Sequence, residues 1–112
     1  MKKWWKKVDN IAEKLEWNTS GSREGNDWRF SKFSPAEQDC NIELNADSYD
    51  ELIEQLDNWC ESYDVSEEAY LWLDNTGHGK NGAPYDMRDV YNDMEWFLNE
   101  AEDLLEALRK AR

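Results

Sequence analysis

The chain has 112 residues, of which 26 are acidic and 13 basic, for a formal net charge of −13. That length fits one domain spanning 1–112 with room for a core, and seven Trp, five Tyr and three Phe set it apart from disordered acidic segments, which lack aromatics. Such a balance argues against direct binding of nucleic acid, whose phosphates must be neutralised by Lys and Arg, and against docking on anionic membranes.

Residues 4–15 read as a first helix, because Trp4, Trp5, Val8, Ile11, Ala12 and Leu15 recur at the spacing that gathers them on one face. The basic start, Lys2 to Lys7, has no apolar run after its charges and so does not read as a signal peptide. Asn18 to Asn26 reads as a polar loop rich in turn formers. Residues 27–45 read as a β-hairpin: Trp28 and Phe30 alternate with Arg29 and Ser31, and Cys40, Ile42 and Leu44 alternate with Asn41 and Glu43. Ser34 to Gln38 supplies the turn.

Residues 49–63 read as a second helix. Ser48 and Glu51 form a capping box, and Tyr49, Leu52, Ile53, Leu56, Cys60 and Tyr63 make its apolar face. Residues 66–73 fit two states. Ser66, Glu67 and Glu68 look like a helix start, whereas Tyr70-Leu71-Trp72-Leu73 suits a strand. A loop from Asp74 to Ala83 follows. The last helix runs on from Pro84, with Met87, Val90, Tyr91, Met94, Leu98, Ala101, Leu104, Leu105 and Leu108 as its apolar stripe. Arg109, Lys110 and Arg112 lie at its end, where the helix dipole favours cations. The fold class is therefore a small single-domain α+β protein: helix, β-hairpin, helix, short element, long C-terminal helix.

Signals for chemistry are sparse. Gly77 to Gly82 matches G-x-G-x-x-G, but a dinucleotide fold needs a following strand and a longer chain. His78 is the one histidine, so neither a His pair nor a CxxC offers a metal site. Cys40 and Cys60 fall on apolar faces, where thiols are usually inert, and read as free thiols in a reducing cytoplasm. The expectation is a non-enzyme with no cofactor, no metal and no catalytic residue.

The acids are ordered. Residues 15–108 hold 24 of them against five basic residues, and residues 33–79 hold 13 against none. On the second helix Asp50, Glu54, Asp57 and Glu61 fall along one flank. On the last helix Asp89, Asp93, Glu100 and Asp103 share a flank with Trp96, and Glu95, Glu102 and Glu106 occupy another. Carboxylates spaced about 5–10 Å along an axis approximate the charge repeat of a nucleic-acid strand. Like pairs at this spacing cost about 0.2–0.5 kcal/mol each, so a solvated helix ordinarily mixes signs. Asp50, Glu54, Asp57, Glu61, Asp89, Asp93, Trp96, Glu100 and Asp103 are therefore the candidate partner-binding residues. The alternative for Trp96, and the one favoured over a partner contact, is packing on the hairpin or the first helix.

Phe30 to Asp39 (FSKFSPAEQD) and Ala69 to Pro84 (AYLWLDNTGHGKNGAP), together with the acidic helices, resemble small acidic proteins of phages and mobile elements in gut anaerobes, among whose neighbours and relatives are antirestriction and anti-CRISPR proteins. The resemblance covers about residues 28–95, leaves out the basic first helix and assigns no site residue. It implies a counter-defence role in the cytoplasm of a host bacterial cell. The expected partner is a basic nucleic-acid-binding protein, such as a restriction complex or CRISPR effector, whose groove the acidic helices would occupy. The alternative is an acidic interaction module, adaptor or dimerising, without mimicry.

Overall fold

The computed structural model describes residues 3–21, 26–71 and 87–112. Their order is α1 (Lys3–Lys14), β1 (Asn18–Gly21), β2 (Asp27–Phe33), β3 (Asp39–Asn45), α2 (Tyr49–Ser62), α3 (Val65–Leu71) and α4 (Met87–Lys110). This is an α+β domain: a helix, a three-stranded antiparallel sheet in the order β1-β2-β3, then helices ending in a long one. The loop from Asp74 to Ala83, with His78 and the glycines Gly77 to Gly82, lies outside the described residues, as do Trp72, Leu73 and Pro84.

α1 buries Trp5, Val8 and Ala12. Its end is closed by bonds from the amides of Leu15 and Trp17 to the Ala12 carbonyl, with Glu16 in the left-handed region at φ 67°. That reversal drops Trp17 into the core. The segment expected as a polar loop instead begins with a strand. Asn18 to Gly21 pairs with β2, Asn18 opposite Ser31 and Gly21 opposite Trp28. Backbone pairing, rather than apolar side chains, makes this edge. Gly21 is required by close approach: a Cβ there would come within 2.1 Å of the Trp28 ring.

The β2–β3 hairpin follows the alternation. Trp28 and Phe30 face inward opposite Leu44 and Ile42, and Arg29 pairs with Glu43 on the open face at 2.6 Å. Its turn is closed by Glu37 N–H to the Ser34 carbonyl, with Glu37 left-handed at φ 66°, and by Ser34 N–H to the Gln38 carbonyl. Trp5 stacks on Trp28 with ring centroids 3.9 Å apart, and Trp17, Phe97, Trp59 and Tyr63 extend the aromatic core.

α2 starts where the cap places it: the Ser48 hydroxyl oxygen accepts from the Glu51 amide at 3.1 Å. The ambiguous 66–73 stretch is helical through Leu71. In α4 the buried face is Val90, Asp93, Met94, Phe97, Ala101, Leu104, Leu105 and Leu108. Met87 and Tyr91, expected on the apolar stripe, are exposed, and Phe97 takes the core position.

Candidate partner-binding surface

α2 and α4 run side by side in opposite directions. Tyr49 at the start of α2 donates its hydroxyl to the Leu108 carbonyl at 2.5 Å, while Tyr63 just past its end donates to the Met94 sulfur. The packing places the outer flank of α2 beside that of α4. Between them is an open groove of about 760 Å³ lined by Asp57, Cys60 and Glu61 on one side and Leu98, Glu102, Asp103, Leu105 and Glu106 on the other, with Arg109 at its end. Burial pushes the Cys60 thiol up to about 11, aided by the nearby Glu102 and Asp57 carboxylates.

The nine candidate residues divide sharply. Glu54, Glu61 and Asp103 are exposed, and Glu61 and Asp103 face the groove. Asp50 and Asp57 are on the same surface but ion-paired with the end of α4: Arg112 lies 2.9 Å from Asp50 and Arg109 3.1 Å from Asp57. The basic C-terminus thus neutralises half of the α2 stripe, beyond any role as a dipole complement. Asp89 is exposed at the start of α4, nine residues before Leu98, the first residue of that helix to line the groove.

Asp93 is a correction. It is buried, accepts the Ser34 hydroxyl and accepts the Ala36 amide at 3.3 Å. Ser34 in turn accepts the Gln38 amide at 2.9 Å. A carboxylate removed from water needs such donors, and here it pins the hairpin turn to α4. Glu100 is a second correction: its carboxylate binds the buried Lys32 ammonium at 2.9 Å. Lys32 also donates to the Leu15 carbonyl at 2.6 Å and lies over the rings of Trp17 and Trp96 at 4.8 and 5.8 Å. Trp96 is half-buried against the core and committed to that cluster. Glu102 and Glu106 were legible as a second acidic flank of the last helix, yet only the packing against α2 turns them toward the groove.

Burial and the carboxylates of Asp93 and Asp39 push the Cys40 thiol up to about 12, so it is not a thiolate at neutral pH. Among the described residues no group of three or more His, Cys, Asp or Glu could hold a metal ion, and no helix is long and apolar enough to cross a membrane. No family model matches the chain, and neither a curated protein nor a solved structure matches it.

Proposed function

We propose that the chain is a nucleic-acid-mimicking inhibitor, in the cytoplasm of a bacterial host, of a basic nucleic-acid-binding protein of a defence system, a CRISPR effector or restriction enzyme. The observation that carries the reading is the α2/α4 groove, lined by Asp57, Glu61, Glu102, Asp103 and Glu106; Arg109 pairs with Asp57 and Lys110 with Glu106, which leaves Glu61, Glu102 and Asp103 as its net charge. Two acidic ridges flanking a groove present charge on both sides, as a duplex does. Carboxylates one or two turns apart repeat about every 5–10 Å along each ridge. Such an arrangement raises self-repulsion in the free protein, and that repulsion is relieved when Lys and Arg of a partner groove replace water. The action is steric and electrostatic and needs no catalytic group.

Charge reversal tests the reading. Glu61→Lys, Glu102→Lys, Asp103→Lys and Glu106→Lys together leave the core untouched, and protection of a phage from a host restriction or CRISPR system should be lost. Protection that survives the four reversals sinks the mimic. The second reading, an acidic adaptor without mimicry, draws on exposed Tyr70 and Leu71 on α3 and Met87 and Tyr91 on α4. It predicts indifference to these reversals and to salt.

A further inference from the structure

The outer edge of β3 is independent of the acidic groove. Antiparallel pairs alternate between those that exchange two hydrogen bonds and those that exchange none. Ser34 N–H to the Gln38 carbonyl, and Ala46 N–H to the Asn26 carbonyl, continue the β2–β3 register at its two ends. The alternation between them directs the N–H and C=O groups of Cys40, Ile42 and Leu44 to β2. Those of Asp39, Asn41, Glu43 and Asn45 then point away from the sheet. Among the described residues no strand pairs with that edge. Its outward polar groups are met there by one long contact, from the Asn41 amide to the Asp39 carbonyl at 3.4 Å.

We propose that this edge pairs with a second copy of the chain, β3 against β3 antiparallel about a two-fold axis through Ile42, joining the two sheets into one. The sequence of β3, Asp-Cys-Asn-Ile-Glu-Leu-Asn, is self-complementary in this register. Asp39 meets Asn45 of the second copy, Asn41 meets Glu43, and Ile42 meets Ile42. Every carboxylate faces an amide that can donate to it. The four pairs that carry the outward groups are all hydrogen-bonded ones, about eight new bonds in total. Moving the axis to Asn41 sets Asp39 against Glu43, and moving it to Glu43 sets two copies of Glu43 face to face. Like charges directly opposite are destabilising, and both shifts also shorten the pairing.

α2 is compatible with this neighbour. Gln55 reaches the β3 side of the helix, where it shares a cavity of about 700 Å³ with Leu44 and Asn45. Residues at the same helical spacing, Glu51, Asn58 and Ser62, extend that flank, with Glu51 as its one carboxylate. The carboxylates Asp50, Asp57 and Glu61 lie on the other side, toward α4. The second copy therefore approaches the flank of α2 where charge is least.

The test is a cross-link that reads register. Across a hydrogen-bonded antiparallel pair the Cα atoms are about 5.5 Å apart, inside the ~4.4–6.8 Å span of a disulfide. Asn41→Cys and Glu43→Cys are prepared as separate full-length chains and oxidised alone and mixed, with the wild-type chain as the control for Cys40 and Cys60. The mixture should form a disulfide-linked dimer, and neither variant alone should. Sedimentation of the wild-type chain should reveal a dimer that tightens as salt rises, because two chains of −13 repel. Asn41→Pro removes an outward N–H without touching the β2 ladder, and should raise the dimer dissociation constant by about tenfold or more with an unchanged circular-dichroism spectrum. A wild-type chain that stays monomeric, cross-linking by a single variant as fast as by the mixture, or a folded Asn41→Pro chain that dimerises as tightly as wild type overturns the proposal.

Discussion

Replacing Lys32 with Met removes the cation at the junction of α1, β2 and α4 while keeping most of the side-chain volume. Two charge-assisted contacts go with it, to Glu100 at 2.9 Å and to the Leu15 carbonyl at 2.6 Å. Bonds of this kind are worth about 1.5–3 kcal/mol each. The side chains are 9% and 28% exposed for Lys32 and Glu100, so the stranded carboxylate keeps some water and its share falls at the low end. The better of the two ring contacts, to Trp17, adds about 0.5–1 kcal/mol, and the apolar thioether recovers part of the loss. The expected net cost is about 2–4 kcal/mol, a large part of the stability of a domain this size. Urea unfolding at pH 7, followed by tryptophan fluorescence, measures it. Lys32→Met combined with Glu100→Leu should cost about 1–2 kcal/mol less than the two single changes added, because the stranded charge is gone. A Lys32→Met chain within about 0.5 kcal/mol of wild type, or strict additivity with Glu100→Leu, refutes the reasoning.

Three further outcomes follow from the same packing. Asp93→Ala leaves the Ser34 hydroxyl and the Ala36 amide without their acceptor and should destabilise by about 2–3 kcal/mol in urea, while partner binding by the folded fraction stays unchanged. The thiols set a high-pH limit. Cys40 and Cys60 are raised from an ordinary value of 9.0 to about 12 and about 11, chiefly by burial. Their unfolded forms ionise first, so the contribution of these thiols should be level below pH 9 and should lower stability by up to about 1.4 kcal/mol per pH unit for each thiol above it. Alkylation at pH 8 should be slow in the native chain and fast in urea.

The elements built from apolar periodicity could be read from the chain: α1, α2, α4 and the β2–β3 hairpin all announce themselves by which positions must leave water. β1 could not, because Asn-Thr-Ser-Gly carries no alternation and its stability comes from the β2 backbone and from the Thr19 hydroxyl donating to Asp9. α3 was ambiguous because Tyr70 and Leu71 suit either state and both are exposed. The surface was legible only in part. Spacing put Asp93 and Glu100 on a charged flank, but their partners Ser34 and Lys32 lie 59 and 68 residues away, beyond anything periodicity reports. The same limit hid the pairing of Arg109 and Arg112 with α2, which depends on the antiparallel packing of α2 on α4.

The central claim is that the α2/α4 groove occupies a nucleic-acid-binding surface. The most direct measurement is displacement of a fluorescent duplex from a purified defence nuclease, one whose activity in cells the chain suppresses, titrated with the wild-type chain and with the Glu61, Glu102, Asp103 and Glu106 to Lys variant. The account predicts competitive displacement by the wild-type chain, weakening steeply as salt rises, and none by the variant. Suppression of the nuclease with the duplex still bound, or equal displacement by the charge-reversed chain, would contradict it.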